Sequence, residues 1–214
     1  RHALDWLMRG ALVALAFAMY ASQWVSVIGF LPSIYRQAGY PVSLTALLTA
    51  LAAAVNIAGN VASGRLLARG IPPQSLMYTG FVVMALMAAV AFVPMPASWF
   101  SSGSWESQAP MLTAIRYLAV LAFSLVGGMI PGTLFSMAVL LAPARDAVST
   151  TVGWMQQWSA IGQFSGPPLV AFVASAAGGW QWTWLVTGTC SVVGLGLAWQ
   201  IGQQAGRLQN EYTN

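Results

Sequence analysis

The chain has few charged side chains. Only 6% of its 214 residues are charged, and none of its basic residues is a lysine. A soluble domain carries about 25% charged residues. Together with a hydrophobic content of 58% and a mean hydropathy of +0.70, this scarcity excludes an ordinary soluble domain. It indicates an all-α membrane protein that crosses the bilayer several times.

The sequence also has a single cysteine, Cys190, and a single histidine, His2. A lone cysteine cannot form an intrachain disulfide. No predicted membrane span contains a histidine that could activate Ser165, as an intramembrane serine protease would require. Metal-ligand clusters, phosphate-binding loops and paired carboxylates are absent from the sequence as well. We therefore expect no enzymatic activity, no cofactor and no metal site.

Long hydrophobic runs are the main positive feature. A bilayer core takes about 20 apolar residues per helical crossing. The 60 residues from Ala147 to Gly206 contain no charged side chain, which predicts two helices joined by the polar-aromatic hairpin 178–182. The whole chain predicts six spans: Gly10–Leu31, Ser43–Gly64, Ser75–Val93, Tyr117–Leu141, Thr150–Ala176 and Thr183–Ile201. A loop rich in Ser, Pro and Trp, Pro94–Pro110, separates the third span from the fourth.

These spans form a predicted transmembrane domain of residues 10–206. Residues 1–9 are predicted to be a cytoplasmic lead-in from the end of a central loop, and residues 207–214 a cytoplasmic tail. The chain begins at Arg1 and not at a methionine, so we expect a fragment of a longer protein.

Arginines are distributed unequally between alternate loops. Short cytoplasmic loops carry an excess of Arg and Lys. With the N-terminus inside, only Arg36 and Arg116 lie outside, and the other arginines lie inside: Arg1, Arg9, Arg65, Arg69, Arg145 and Arg207. Amphipathic indole rings favour the interface, and five tryptophans cluster on the outer side: Trp99, Trp105, Trp180, Trp182 and Trp184. The pattern predicts an integral protein of a bacterial inner membrane with both termini cytoplasmic, and no nucleic-acid partner.

Uncharged polar residues form stripes inside the predicted spans. In the first span Tyr20, Gln23 and Trp24 share a helical face at spacings of three and four. Stripes also occur in the second and fifth spans: Thr45, Thr49, Asn56, Asn60 and Ser63, and Gln156, Ser159 and Gln163. Buried amides need partners, so each stripe faces either neighbouring helices or a water-filled cavity.

Both interpretations remain open for Asn56, Asn60 and Gln156. An amide beside an aromatic ring suits a small polar solute, so Gln23 and Trp24 favour the cavity. The predicted substrate cavity contains Tyr20, Gln23, Trp24, Asn56, Asn60, Gln156 and Gln163.

Two pairs of glycines have the spacing of close helix contacts. Gly128 and Gly132 are one turn apart in the fourth span, as are Gly162 and Gly166 in the fifth, and such pairs let helix backbones approach. Pro131 removes a backbone hydrogen bond from the fourth span and predicts a kink. That kink is either a fixed bend or the pivot of a moving gate.

Short motifs recur at matching places in the two halves of the chain. Gly29-Phe30-Leu31-Pro32 of the first span is echoed by 128–131 of the fourth, which reads Gly-Met-Ile-Pro. The pair at 59–60 of the second span, Gly-Asn, is echoed by 162–163 of the fifth, Gly-Gln. We therefore expect spans one to three to match spans four to six in inverted orientation, an arrangement typical of secondary transporters.

Three stretches resemble the major facilitator superfamily. The segment 56–72, with Gly59, Gly64, Arg65 and Arg69, resembles the glycine- and arginine-bearing loop of that superfamily's C-terminal half. The run 162–169, Gly-Gln-Phe-Ser-Gly-Pro-Pro-Leu, resembles its penultimate helix, and 178–184 the hairpin into its last helix. Within that superfamily, these stretches are similar to the cyanate-transporter-like branch. Gly64 stands where the family's loop usually has an acidic residue.

The resemblance implies the C-terminal six-helix half of a twelve-helix transporter. It implies that the four residues of the 56–72 segment form a cytoplasmic gate loop, and that Ser124 and Thr133 join the lining of the central cavity. Spans three and six would lie on the lipid side.

From these patterns we expect a secondary active transporter that moves a small polar or anionic solute by alternating access. No predicted span interior contains an ionisable group that could bind a coupling proton or ion. Such an ion would bind mainly in the missing N-terminal half. The alternative is a free-standing six-helix channel or membrane scaffold that acts as a homo-oligomer.

Overall fold

The computed structural model describes residues 2–94, 105–142 and 147–213. Arg1, Trp99 and Arg145, which enter the predicted topology, lie outside the described residues. The regular structure of the described part is entirely helical. Its helices are α1 (His2–Gln37), α2 (Val42–Ala68), α3 (Pro73–Phe92), α4 (Trp105–Gly127), α5 (Met129–Leu141), α6 (Val148–Ala177) and α7 (Thr183–Thr213).

Six helical segments of the described residues are long and apolar enough to cross a membrane, which confirms the predicted number of spans. They are Gly10–Gln37, Val42–Ala68, Pro73–Phe92, Met111–Leu140, Val148–Ala177 and Trp180–Gly206. Helices α4 and α5 together form the fourth of them. The all-α membrane class is therefore confirmed.

Several helices continue beyond the approximate span ends that the sequence predicts. The first span was expected to end at Leu31, before Pro32, but α1 continues through Pro32 to Gln37. A proline inside a helix removes one backbone hydrogen bond and its ring crowds the carbonyl four residues earlier, and packing at the helix end can offset that cost. In the last turn of α1 the ring of Tyr35 lies 5.8 Å from the ring of Tyr40. Helix α4 begins at Trp105, inside the predicted loop, and α7 continues past Ile201 to Thr213.

The hairpin before α7 is tight, as expected from its glycines. α6 ends at Ala177, and Gly178 adopts a φ of +81°, the left-handed conformation that favours glycine. The N–H of Gly179 then donates a 2.8 Å hydrogen bond to the carbonyl of Ala174. A 3-10 turn, Trp180–Trp182, leads directly into α7. This geometry caps α6 and reverses the chain within a few residues.

Helix α1 occupies the centre of the bundle. Of its most apolar window, 67% is buried, against 22% for α2 and 17% for α6. The most extensive helix contact joins α1 to α6, and α1 also packs on α7, α5 and α2. Helix α3 packs on α4 and α7. The interior is filled by large side chains of α3, α4 and α5, among them Phe81, Met84, Phe123 and Ile130.

Glycines set the closest approaches between helices. A Cβ atom added at Gly162 would collide with the carbonyl oxygen of Ala18, and one at Gly166 with the carbonyl oxygen of Ser22. Because lipid is as apolar as the helices, close van der Waals packing is a main source of helix association in a membrane. The α1–α6 contact therefore depends on these two positions.

The contact of α2 with α4 and α5 has the same character. A Cβ at Gly128 would meet the carbonyl oxygen of Asn56, and one at Gly132 would meet the hydroxyl of Ser63. Gly59, a residue of both the second span and the predicted gate loop, lies inside α2, where an added Cβ would meet the carbonyl of Leu125. It is therefore a packing position in this structure.

Candidate functional site

A buried hydrogen-bond network joins α1, α2 and α4. The Asn56 side chain of α2 is at its centre: Nδ2 donates to the hydroxyl of Tyr20 at 2.9 Å and to the carbonyl oxygen of Ser124 at 2.8 Å. On α1, Trp24 Nε1 donates to the hydroxyl of Ser124 at 3.0 Å. Tyr20, Asn56 and Ser124 are buried, and Trp24 is half-buried. Four of the predicted cavity residues thus form one connected unit, which we call the Asn56 network.

Asn60 extends the network by one turn of α2. Its Nδ2 lies 3.1 Å from Asn56 Oδ1 and 3.2 Å from the Asn56 carbonyl oxygen, and the residue is half-buried. Asn60 therefore orients the central amide of Asn56 while keeping part of its own surface accessible. Thr133 is fully buried, but its hydroxyl donates to the Met129 carbonyl of its own helix at 2.8 Å.

Gln23 faces a different neighbour from Tyr20 and Trp24. Its Oε1 accepts a 3.0 Å hydrogen bond from Ser191 Oγ on α7, and the side chain has no exposed surface. The helical spacing that groups the three residues on one broad face does not resolve which helix each one meets. In this structure Gln23 belongs to the α1–α7 contact.

Gln156 and Gln163 lie on the exposed side of α6. Gln163 Nε2 bonds within its own helix, to Ser159 Oγ at 3.2 Å. The structure does not bring either glutamine to the Asn56 network. Both point away from the bundle formed by this chain.

The helix of the fourth span is interrupted beside the network. α4 ends at Gly127 and α5 begins at Met129. Pro131 has no N–H to donate to the carbonyl of Gly127, so the hydrogen-bond ladder loses one rung there. Gly128 N–H still bonds to the Ser124 carbonyl at 3.0 Å. The network therefore contacts α4 in the last turn before the interruption.

Three of the predicted gate residues lie at the C-terminal end of α2. Gly64 and Arg65 are still helical, and Arg69 caps the C-terminal end of the helix. All three are exposed. A cation at a helix C-terminus interacts favourably with the helix dipole, so the two arginines stabilise this end of α2 whether or not they also gate.

The network carries hydrogen-bonding groups and no formal charge. Its donors are a phenol, an indole and two carboxamides, and no group of three His, Cys, Asp or Glu side chains that could hold a metal ion occurs among the described residues. Such a set can bind a polar or acceptor-rich solute. A separate apolar groove of about 500 Å³ lies between α3 and α7, beside Trp184 and Gly188.

Sequence patterns missed, among others, three contacts made by the C-terminal end of α1 and by α7. The ring of Tyr117 lies 6.3 Å from that of Tyr35, and Trp180 Nε1 donates to Gln37 Oε1 at 2.9 Å. The third is the Gln23–Ser191 bond. A polar residue in a strongly apolar span, as Ser191 is, was the one available signal, but it did not indicate the partner.

Neither the protein-family models nor the curated proteins compared with the chain gave a match. The fold and composition define a six-span helical membrane protein.

Proposed function

We propose that the chain is the C-terminal six-helix half of a secondary transporter of the major facilitator superfamily, built as an inverted 3+3 repeat. The observation that carries the proposal is the pairing of its helices. α1, the first span, packs on α6, the fifth, while α4 and α5, the fourth span, pack on α2, the second. Exchanging spans one to three with spans four to six converts the first pairing into the second.

The remaining main contacts follow the same exchange. α3 packs on the fourth span and α7 packs on the first, and these two contacts interchange. The contact between α3 and α7 converts into itself. An accidental bundle of six helices has no reason to obey this rule, whereas an inverted repeat requires it.

The packing of the glycines supports one of the two recurring sequence motifs, 59–60 with 162–163, and not the other, 29–32 with 128–131. Gly59 and Gly162 each press on a backbone carbonyl of the first span of the opposite triplet. Gly29 has open space around it, whereas Gly128 is packed on Asn56. The repeat is therefore best supported at the second and fifth spans.

The two least buried spans carry large apolar side chains on their open faces. On α2 these are Leu47, Leu51, Ile57 and Val61, and on α6 Ile161, Phe164, Leu169 and Phe172. A second six-helix half would cover parts of both faces, and together with α1 and α4 it would enclose the Asn56 network. Lipid would cover such faces equally well, so they are consistent with the proposal but do not distinguish it from a chain that has no second half.

The proposed substrate is a small polar or anionic solute that accepts hydrogen bonds. The network presents donors from Tyr20, Trp24, Asn56 and Asn60, and a substrate would compete for them during transport. The network holds no carboxylate that could take up a coupling proton. We place that group in the other half.

Uptake by proteoliposomes of the full-length protein tests this function. Trp24→Ala and Asn56→Ala should reduce saturable uptake of the transported solute, because both remove donors from the network. Gln23→Ala separately tests whether Gln23 lines the substrate cavity, as its sequence pattern predicts. Gln157→Ala, on the exposed side of α6, is the matched control and should transport normally. Wild-type uptake by both network variants would refute this site.

A homo-oligomeric channel or scaffold is the alternative. The transporter requires six further spans in the same protein, whereas the alternative requires identical chains around one axis. Reading the coding sequence upstream of Arg1 decides between six more spans and a nearby start codon. Solute flux that does not saturate would also favour the channel.

A further inference from the structure

A second buried polar cluster lies between α1 and α7. Its centre is the hydrogen bond from Ser191 Oγ to Gln23 Oε1, which is 3.0 Å long, and neither side chain has exposed surface. Gln23 lies midway along the span Gly10–Gln37. The amide is therefore near the middle of the membrane, where bulk water does not reach.

The amide nitrogen of Gln23 is the unusual atom of this cluster. Among the residues that the structure describes, Nε2 has no hydrogen-bond partner although it is buried. It carries two N–H groups that can donate hydrogen bonds. Buried polar groups of native proteins almost always have a partner, which is either another protein group or an ordered water. An unpaired carboxamide at this depth therefore indicates a bound molecule.

Two hydroxyl side chains lie one turn from the Gln23–Ser191 pair. Ser26 follows Gln23 by three residues on α1, Thr187 precedes Ser191 by four residues on α7, and both are fully buried. Successive spans alternate in direction, so α1 and α7, the first and sixth, run antiparallel. Ser26 is therefore displaced from Gln23 towards the same side of the membrane as Thr187 is displaced from Ser191. Gln23 and Ser191 thus form one polar level of the α1–α7 contact, and Ser26 and Thr187 lie one turn away on the same side, with Ser26 Oγ also beside Gly166 of α6.

The hydroxyls of Ser26 and Thr187 have free acceptor capacity. Ser26 Oγ donates its proton to the Ser22 carbonyl at 2.6 Å, and Thr187 Oγ1 donates to the Thr183 carbonyl at 3.3 Å. A hydroxyl whose proton is engaged keeps lone pairs that can accept. The two hydroxyl oxygens can therefore accept hydrogen bonds, whereas the amide nitrogen of Gln23 can only donate them.

We propose that Gln23, Ser26 and Thr187 hold one buried water molecule between α1 and α7. The water accepts from Gln23 Nε2 and donates to the two hydroxyl oxygens, which gives it three hydrogen bonds, the usual number for a buried water. Exchanging the amide oxygen and nitrogen leaves an unpaired oxygen, to which water donates instead. A bare ion fits less well, because the cluster contains no charged side chain and an ion at this depth is costly. The site does not depend on the proposed transport function.

Cys190 is a natural reporter for this water. It is buried, precedes Ser191 in the chain and lies beside Ser22. Brief X-ray radiolysis of the full-length protein in lipid nanodiscs converts bound water into hydroxyl radicals, which oxidise nearby sulfur atoms. Mass spectrometry after radiolysis in ¹⁸O-labelled water then measures oxygen transfer to Cys190. Met155, fully buried in the apolar interior, is the dry reference.

We expect labelling of Cys190 in the wild-type protein, loss of that labelling in Gln23→Leu, and wild-type labelling in Gln163→Leu on the exposed side of α6. Gln23→Met, which keeps a long flexible side chain, repeats the test if Gln23→Leu does not fold. Cys190 labelling that is unchanged in the Gln23 variants, or no higher than that of Met155 in the wild type, overturns the proposal. Electron cryomicroscopy gives the direct reading. A single water density at the Gln23 amide supports the site, and a protein acceptor or a larger solute in that place contradicts it.

Discussion

Asn56 Nδ2 donates a 2.8 Å hydrogen bond to the carbonyl oxygen of Ser124, and the same oxygen accepts the N–H of Gly128 at 3.0 Å. That carbonyl lies in the last turn of α4, directly before the helix is interrupted. A side chain of α2 therefore holds the fourth span at the point where Pro131 weakens its own hydrogen-bond ladder. The contact of α2 with α4 and the interruption of the fourth span are therefore structurally linked through the Ser124 carbonyl.

Asn56→Leu should destabilise the protein by about 2 kcal/mol, because it removes three interhelical hydrogen bonds, two with Tyr20 and one with Ser124, that average roughly 0.6 kcal/mol each in a membrane. Ser124 keeps the Gly128 N–H as a donor, so its carbonyl is not left unpaired. Reversible unfolding in mixed micelles measures the change. Asn60→Leu is the control and should cost less, since Asn60 bonds only within its own helix. Equal losses for both variants would mean that the interhelical bonds contribute nothing.

Gly162→Ala should destabilise the α1–α6 contact by about 1–3 kcal/mol, the usual cost of overpacking. Its added methyl group meets the Ala18 carbonyl, which is backbone and cannot move aside easily. Gly153→Ala, also in α6 but with open space at the Cβ position, is the matched control and should be neutral or stabilising. Thermal unfolding of the two variants in detergent compares them. A lower Tm for Gly153→Ala than for Gly162→Ala would contradict the packing.

A second matched pair tests the other triplet. Gly59→Ala places a methyl group on the Leu125 carbonyl, whereas Gly64→Ala meets nothing within 4 Å. We expect Gly59→Ala to lower the Tm by about as much as Gly162→Ala, since both residues press on a backbone carbonyl. Thermal unfolding of all four variants checks the repeat. If Gly59→Ala behaves like Gly64→Ala, the two triplets are not packed alike.

Pro131→Ala restores an N–H that can bond to the Gly127 carbonyl. Proline inside a helix costs about 3 kcal/mol when it breaks the ladder, so the variant should be at least as stable as the wild type. If the interruption is a pivot, saturable uptake by the full-length protein should fall although stability does not. Comparing uptake with Tm separates the two effects. Undiminished uptake would identify a fixed bend.

The orientation can be read with a chain that has no other cysteine. In a Cys190→Ser background, Ala38→Cys should react with a membrane-impermeant maleimide added outside intact cells, and Ala68→Cys only after lysis. Both positions are exposed: Ala38 lies in the turn before α2, and Ala68 is the last residue of α2. The expectation follows from the excess of arginine on the predicted inner side. The reverse labelling pattern would invert the topology.

The number of spans was predictable from the sequence, and their ends were not. Hydropathy over about 20 residues is a local property, so it identifies a crossing without knowledge of its neighbours. Helix ends depend on contacts such as the packing of Tyr35 on Tyr117. That contact brings together residues far apart in the chain, which no local pattern encodes. The continuation of α1 past Pro32 is a case in which such packing overrides a helix-breaking residue.

For the polar residues of the spans, the need for hydrogen-bond partners was predictable from the sequence, but the identity of those partners was not. The sequence indicated that Tyr20, Gln23, Trp24 and Asn56 need partners, because an amide or phenol in lipid must be satisfied. It could not indicate that Tyr20 and Trp24 join Asn56 and Ser124 while Gln23 turns to Ser191. A face of three residues at helical spacing is broad enough to meet two neighbouring helices.

By itself, then, the sequence determined that the chain is an all-α membrane protein with six crossings, since both properties follow from the distribution of apolar and charged residues along it. The tertiary structure alone decided which helices meet, where glycines bring backbones together, and which partner each buried polar group has. Those outcomes depend on shape complementarity and hydrogen-bond geometry between distant segments, which become defined only when the helices pack.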